Sequence, residues 1–271
     1  KKAIYLTDMD CQELNCNMQA KLLLHKANIY AKEGSLTKSL NDYLRVKQLD
    51  SKFSKTNNID LLIGIVQRRQ EKYQDSLKSF DKELTNNPDN PDAFYQKAKT
   101  NELIGDYFAA SNNFIKAIEV NPNFQRAYRS MAHLLVFYIQ DYINAVKYIN
   151  KAIELDPYDG DSFAIRGIAN KYLEKNQEAF DDLSKAIDSK NTKSRLHTLA
   201  HTFRGTLLYF DYRNKNAGCY DLVQAAIKRQ QDSNKLSDRN CDIKALKKHY
   251  YKLGNLIKNS ICTGEEGEKL F

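Results

Sequence analysis

Two pairs of residues in this chain have types and spacings that could do chemistry. His197 and His201 stand at i and i+4, which places two imidazoles on one face of a helix, where they could share a metal ion. Thr198 takes the position after the first histidine, where the metalloprotease motif needs glutamate, and no third ligand is indicated. Asp181 and Asp182 lie in a helical pattern, where a solvated face is the ordinary interpretation. We therefore expect no metal site, no other cofactor and no catalytic residue here.

The motifs that mark common enzyme classes are missing from the sequence. There is no glycine-rich phosphate loop, no GxSxG turn that would expose a nucleophilic serine, and no Cys–His motif. The sequence therefore predicts a protein that is not an enzyme.

The five cysteines leave two interpretations open. They form no CxxC pair and no zinc-ribbon spacing, and they lie towards the two ends of the chain, at Cys11, Cys16, Cys219, Cys241 and Cys262. They are either reduced thiols, or Cys11–Cys16 and Cys219–Cys262 are disulfides that close the two ends and leave Cys241 free. A Cys219–Cys262 bridge is the prediction for an oxidising compartment.

Charge and hydropathy restrict the class of partner. The formal net charge is +8, from 42 Lys and Arg against 34 Asp and Glu. This balance suits nucleic acid, an acidic protein face or an anionic membrane surface, but a lysine-rich soluble surface is the favoured explanation. The basic residues are scattered, with no block of five or six like charges. No apolar run approaches the ~20 residues of a membrane span, and no leader is recognisable, although Lys1 need not be the natural start.

A repeated helical unit is the main pattern of the sequence. Residues 105–122 and 140–157 are two copies, in which Ala110, Phe114 and Ala117 recur 35 residues later as Ala145, Ile149 and Ala152. A third copy has Ala179, Leu183 and Ala186. The i, i+4, i+7 spacing places a large residue between two small ones on one helix face, so that a neighbouring helix can approach closely. We expect Ala117, Ala152 and Ala186 to be buried where helices cross.

The helix before each of these carries its own marker, an aromatic residue followed four positions later by a small one. Examples are Phe94 with Ala98 and Tyr128 with Ala132. With a period of about 34 residues and a terminal proline, this pattern resembles the tetratricopeptide repeat (TPR). The resemblance implies an all-α fold: a right-handed superhelical solenoid of stacked antiparallel helix hairpins, with about six TPR units and a C-terminal capping helix.

The resemblance also divides the chain into segments. Residues 1–19 precede the array, and the copies run over about 20–53, 57–90, 91–124, 125–158, 159–192 and 194–228. The fourth copy carries one extra residue near positions 137–140. A polar loop at 231–241, a capping helix at 242–262 and a flexible tail at 263–271 complete the prediction.

In TPR proteins the first helix of each hairpin lines a concave groove. The resemblance therefore implies a wall of basic and aromatic side chains, made of Arg68, Arg69, Tyr95, Lys99, Arg126, Arg129, His133, Lys171 and Tyr172. Stacking is expected to bring the central cations together with a tyrosine on either side. Such a wall suits an acidic or C-terminal peptide with apolar neighbours, because arginine binds carboxylate bidentately. Each of these side chains could instead be only solvated.

One known TPR function can be compared residue by residue. The clamp for the C-terminal carboxylate of heat-shock chaperones uses Lys and Asn in one first helix, Asn in the next, and Lys and Arg in the third. Starting from Asn28 the next position is Ile65, and starting from Lys99 the following ones are His133 and Ile168. No register satisfies the clamp, so a chaperone-tail receptor is disfavoured.

Three functions remain as hypotheses. The first is an adaptor or scaffold that binds a protein or peptide in the groove. The second is a structural subunit docked into a larger complex, which could lie in the cell envelope, through its ends or convex face; residues 203–212 are its candidate surface. RNA binding ranks last, because no base-reading pair repeats once per unit. Cys219 and Cys262 resemble the cysteines of bacterial envelope TPR proteins, which favours a periplasmic or secreted site over a cytoplasmic one.

Overall fold

The computed structural model describes residues 16–192 and 194–229, and all regular structure in these ranges is helical. The prediction of an all-α helical repeat fold is confirmed. The chain forms two compact units, residues 1–127 and residues 128–271. The predicted loop, capping helix and tail after residue 230 lie outside the described residues.

The first unit is a series of antiparallel helix pairs joined by short turns. Its helices are α1 (Cys16–Lys32), α2 (Leu36–Leu49), α3 (Ser51–Thr56), α4 (Ile59–Arg69), α5 (Tyr73–Asn86), α6 (Pro91–Ile104), α7 (Tyr107–Val120) and the start of α8 (Gln125–Leu134). The short α3 is not part of the repeat pattern. It forms because the Asp50 carboxylate accepts a hydrogen bond from the Phe53 backbone N–H at 2.8 Å and so caps its first turn.

The second unit continues the same arrangement with two irregular helices. It contains the rest of α8 with a π-helical turn (Leu135–Ile139), α9 (Tyr142–Leu155), α10 (Gly160–Tyr172), α11 (Asn176–Asp188), α12 (Ser194–Thr206) with a second π-helical turn (Leu207–Asp211), and α13 (Lys215–Arg229).

One contact recurs across the hairpins: a large side chain of the second helix fills the space left by a small residue of the first. A Cβ added to Gly64 would collide with the Phe80 ring, and one added to Gly167 would lie 2.8 Å from Leu183 Cγ. Phe80 and Leu183 are fully buried. Gly205 has the same relation to Leu222, whose Cδ2 would lie 2.8 Å from the added Cβ. In the other hairpins of the described residues, buried alanines and buried large residues occupy the equivalent positions, as Ala27 and Tyr43, Ala98 and Phe114, and Ala132 and Ile149. The contact fixes the register of the two helices in each hairpin.

The alanines of the second helices are buried as predicted. Ala117, Ala152 and Ala186 are all 0% exposed. In the second hairpin Ser76 replaces the first alanine, and its hydroxyl donates to the Gly64 carbonyl at 2.8 Å. Ser39 does the same to Ala27 in the first hairpin, at 2.9 Å. A buried serine is tolerated here because its hydroxyl has a partner.

The π-helical turns show where the extra residue of the fourth repeat goes. The small and large residues are 16 apart in four hairpins but 17 apart in Ala132–Ile149 and Gly205–Leu222. These are the two hairpins whose first helix ends in a π-helical turn. The Gln140 N–H donates to the Leu135 carbonyl, five residues back, so that one more residue fits into the last turn. The π-helical turn therefore preserves the packing register.

We expect Gly64→Ala to lower the free energy of unfolding by about 1–3 kcal/mol, because the new methyl group overpacks against the Phe80 ring. In the double variant Gly64→Ala/Phe80→Leu, the smaller side chain should recover part of this loss. Urea denaturation of the single and double variants measures the coupling. Strictly additive losses would show that these two residues are not in contact.

Candidate functional site

In the first unit, three of the predicted groove residues lie around a fourth, Tyr95. We call this group the Tyr95 cluster; its members lie on the first helices α4, α6 and α8, except Phe124, which immediately precedes α8. They are Arg68, Tyr95, Lys99, Glu102, Phe124 and Arg126. Tyr95 and Lys99 share a face of α6 because they stand at i and i+4.

The Tyr95 ring is held by aromatic and cationic neighbours. Its centroid lies 5.8 Å from that of Phe114 and 5.3 Å from that of Phe124. The Arg126 guanidinium lies over both the Tyr95 and Phe124 rings, at 5.6 and 5.3 Å from their centroids. Arg126 also approaches the Asp92 carboxylate at 3.4 Å, but its side chain remains 56% exposed. The group forms an aromatic surface with a cation on it.

Arg68 is the cation in this cluster with the most unusual environment. Its side chain is half-buried, and burial lowers the pKa of its guanidinium, an effect that the nearby Tyr95 and Glu102 oppose. Lys99 pairs with Glu102. Arg68 itself makes no hydrogen bond and no direct ion pair within the part of the chain that the structure describes. Its five N–H donors are therefore open to a ligand or to water.

Arg69, beside it, is directed elsewhere. Its Nη1 donates to the Ala31 carbonyl at 2.6 Å, and its side chain is exposed. This contact joins α4 to α1, so Arg69 has a structural partner.

In the second unit, Arg129 is engaged inside the protein. Its Nη1 donates to both carboxylate oxygens of Asp159, at 2.8 and 2.7 Å, and lies 3.8 Å from Asp161. The side chains are 19%, 7% and 2% exposed, respectively. The prediction that Arg129 contacts a ligand is untested, but this ion pair already uses its guanidinium. Because Lys99 and Arg126 belong to the first unit and Arg129 to the second, the prediction of one common cationic patch stays a prediction.

The other predicted residues of this unit make aromatic and ionic contacts. The His133 ring lies 4.6 Å from Phe137. Lys171 pairs with Asp211 at 2.8 Å. Tyr172 stacks on Tyr142, with centroids 4.6 Å apart and planes 8° apart, and its ring meets Phe203 edge-on at 5.9 Å.

His197 and His201 each contact an oxygen atom of a neighbouring helix. His197 Nε2 lies 3.1 Å from the Ile187 carbonyl, and His201 Nδ1 lies 3.0 Å from Asp221. Burial alone would raise the pKa of Asp221, but hydrogen bonds from Arg204 and His201 outweigh it and lower that pKa. Within residues 16–192 and 194–229, no three His, Cys, Asp or Glu side chains are grouped to hold a metal ion.

The cysteine predictions fall mostly on side chains that are not described. Cys16 is disulfide-bonded, and its partner cysteine is not among the described side chains. The pairings Cys11–Cys16 and Cys219–Cys262 stay predictions. In the described part of the chain, no helix has the length and hydropathy needed to cross a membrane.

Sequence analysis missed the ion pairs that join the helices of single hairpins. Arg166 binds Asp182 through Nε and Nη2 at 2.7 and 2.8 Å, and Arg204 binds Asp221 in the same way. The spacings are 16 and 17 residues, the same as those of the small and large pairs in these hairpins. That shared spacing is the signal that could have found them. Asp182 is buried because it faces Arg166 within the hairpin, whereas Asp181, one residue earlier, is exposed.

A family model described as tetratricopeptide repeat matches residues 91–124 and 126–159. Hsp70-Hsp90 organizing protein 2 of Arabidopsis thaliana is 24% identical over 127 residues, which is 47% of this chain. The chain spans only 19% of that protein's length. Given that relative, the prediction that this chain is not a chaperone-tail receptor receives no support from the comparison.

Solved structures with similar folds come from several bacterial proteins. A tetratricopeptide repeat protein from Parabacteroides merdae has a TM-score of 0.63 at 17% identity and covers 93% of this chain and 96% of its own. PilF of Pseudomonas aeruginosa has a TM-score of 0.67 at 10% identity, covering 86% and 97%. YrrB, described as a TPR protein with an unusual peptide-binding site, has a TM-score of 0.53 at 24% identity, covering 70% and 93%. At these identities the likeness shows the fold.

Two arginines in the first two turns of α8 should respond differently to the same substitution. We expect Arg129→Gln to cost about 3–5 kcal/mol of unfolding free energy, because it removes the cation that neutralises the buried Asp159 carboxylate, which would still accept a hydrogen bond from the Ser162 hydroxyl. The matched control Arg126→Gln removes an exposed pair and should cost less than about 1 kcal/mol. Thermal and urea unfolding measure both. Equal, small losses would mean that the Arg129–Asp159 pair is not formed.

Proposed function

We propose that this chain, two of whose repeats match the tetratricopeptide-repeat model, is a non-catalytic adaptor that binds a segment of a partner protein on its first-helix face. Stacked helical repeats present extended surfaces, and proteins of this family are generally scaffolds without catalytic activity. The Tyr95 cluster is the proposed contact surface, and the environment of Arg68 is the observation that carries the proposal.

Arg68 supports an anionic ligand group. Burial has removed part of the water around its guanidinium, and no hydrogen bond from the described residues replaces it. A carboxylate could accept two parallel N–H bonds from this planar group, in an arrangement about twice as strong as neutral hydrogen bonds. The lowered pKa of Arg68 is consistent with a cation that gains from such a partner.

The surroundings of Arg68 suggest what stands next to that carboxylate. Tyr95 is half-buried, so part of its ring is accessible, whereas Phe124 is buried against it; Arg126 lies over both rings. The cluster carries three basic side chains, on Arg68, Lys99 and Arg126, of which Lys99 pairs with Glu102 and Arg126 approaches Asp92. An acidic or C-terminal peptide segment with an apolar neighbour suits this surface, because charge guides its approach and ring burial slows its release.

The residues at the clamp positions disfavour binding of a chaperone tail. Asn28, at the first clamp position, accepts a hydrogen bond from the Tyr43 hydroxyl at 2.6 Å. Ile65 and Ile168 stand at later clamp positions and offer no polar group. A synthetic acidic C-terminal segment of a cytosolic heat-shock chaperone should therefore bind no better than its scrambled sequence.

The alternative, a subunit docked into a larger complex through its outer surface, also has a specific observation in its favour. Phe108 and Ile143 are 79% and 64% exposed, and they occupy equivalent positions of the third and fourth repeats. Repeated exposure of a large apolar residue is typical of contact surfaces. Serine at both positions should release the chain from such a complex without changing peptide binding at the Tyr95 cluster.

A peptide selection tests the leading proposal. Selection from a random dodecapeptide library on the full chain should enrich acidic residues beside an apolar one. Arg68→Gln should weaken the enriched peptides at least about tenfold, which corresponds to 1.4 kcal/mol. Lys78→Gln, which removes the same charge from an exposed site on α5, should leave binding unchanged. Affinities are measured by fluorescence anisotropy, with circular dichroism to verify folding. Peptides without acidic residues, or equal affinity for Arg68→Gln, would contradict the proposal.

A further inference from the structure

The second π-helical turn places a tyrosine outside the regular repeat pattern. The turn ends at Asp211, and the Tyr212 N–H donates to the Leu207 carbonyl at 2.9 Å. This is the hairpin in which Gly205 and Leu222 are 17 rather than 16 residues apart. The additional residue is absorbed before Tyr212, whose ring comes to lie against α11 of the preceding hairpin.

Tyr212 and Phe180 form a corner of two perpendicular rings. Their centroids are 5.8 Å apart and their planes meet at 90°. The Tyr212 hydroxyl donates to Gln177 Oε1 at 3.3 Å, which ties the ring to α11. Tyr212 nevertheless remains 41% exposed. Part of its ring is therefore accessible to a partner, and an aromatic ring attracts a cation.

Carboxylates surround this aromatic corner. Burial and the nearby Asp181, Asp211 and Glu178 raise the pKa of the Tyr212 hydroxyl, as expected when negative groups disfavour a phenolate. All three carboxylates are on exposed residues. The charge of these three carboxylates is opposite in sign to the chain's net charge of +8.

Glu178 and Asp181 form no ion pair among the described residues, although Lys175 and Lys185 line the same surface pocket. Lys171 neutralises Asp211 at 2.8 Å. Asp181 accepts a hydrogen bond from neutral Gln177 at 3.0 Å, and Glu178 makes no hydrogen bond or direct ion pair among residues 16–192 and 194–229. Two carboxylates therefore stand beside the ring pair without a bound cation of their own.

We propose that this corner, formed by Phe180, Tyr212, Glu178 and Asp181, binds a basic side chain of a partner protein segment. Arginine fits best, because its planar guanidinium can lie on a ring and bind a carboxylate with its edge at the same time. The site belongs to the second unit and has the opposite charge preference from the Tyr95 cluster. Either site can fail its test without affecting the other.

The proposal is tested on the full chain with labelled tyrosine and phenylalanine rings. The probe is the acetylated, amidated pentapeptide Ala-Leu-Arg-Leu-Ala, compared with its glutamate counterpart. The arginine peptide should shift the Tyr212 and Phe180 ring signals saturably in NMR titration. Tyr212→Ala and Asp181→Asn should each weaken it about fivefold, the equivalent of roughly 1 kcal/mol. Tyr158→Ala should change nothing, since that tyrosine is 81% exposed and makes no ring contact among the described residues.

Three results would overturn the proposal. The first is an absence of saturable shifts with the arginine peptide, and the second is equal binding of the glutamate peptide. The third is a tetramethylammonium affinity as high as that of the arginine peptide, which would make the corner a site for any small cation. Asp181→Asn keeps the test decisive if Tyr212→Ala fails to fold, because the Asp181 side chain is exposed.

Discussion

The contact between a small residue of the first helix and a large residue of the second is the constraint on which this structure depends. Where the small residue is glycine, as at Gly64, no space remains for even a methyl group. A single hairpin cannot bury its own apolar face, so hairpins must pack in series. The helix ends adapt to this contact: in two hairpins an extra residue is absorbed as a π-helical turn, which leaves the pairing unchanged.

Fixed helix registers decide which charged side chains stay available to a partner. Arg129, Arg166 and Arg204 are all held by buried carboxylates, so their charges are used inside the protein. Arg68 differs because it is half-buried and makes no hydrogen bond or direct ion pair among the described residues, although the Glu102 carboxylate acts on it from nearby. In a chain with 42 Lys and Arg residues, the local environment of each cation indicates a binding site better than the total number of cations does. The same reasoning separates Glu178 and Asp181 from paired acids such as Asp182.

The repeat phase could be predicted from the sequence because each landmark depends on neighbours within one helix. Ala110, Phe114 and Ala117 specify their helix face by spacing alone, and all three are fully buried. The sequence also predicted an extra residue near position 137. It could not show whether that residue lengthens the turn between the helices or forms a π-helical turn, because either arrangement accommodates it. Arg129 shows the limit most clearly. Its position on a first helix is local, whereas its partner Asp159 lies 30 residues away and depends on the packing of two hairpins.

The central functional claim is that Arg68 meets a carboxylate of the partner beside Tyr95. A crystal structure of the chain with a selected peptide tests it most directly. The account predicts two carboxylate oxygens of the peptide within hydrogen-bond distance, about 2.7–2.9 Å, of the Arg68 guanidinium nitrogens. We also expect an apolar peptide side chain against the accessible part of the Tyr95 ring. A peptide bound elsewhere, with Arg68 unchanged and facing only water, would contradict it.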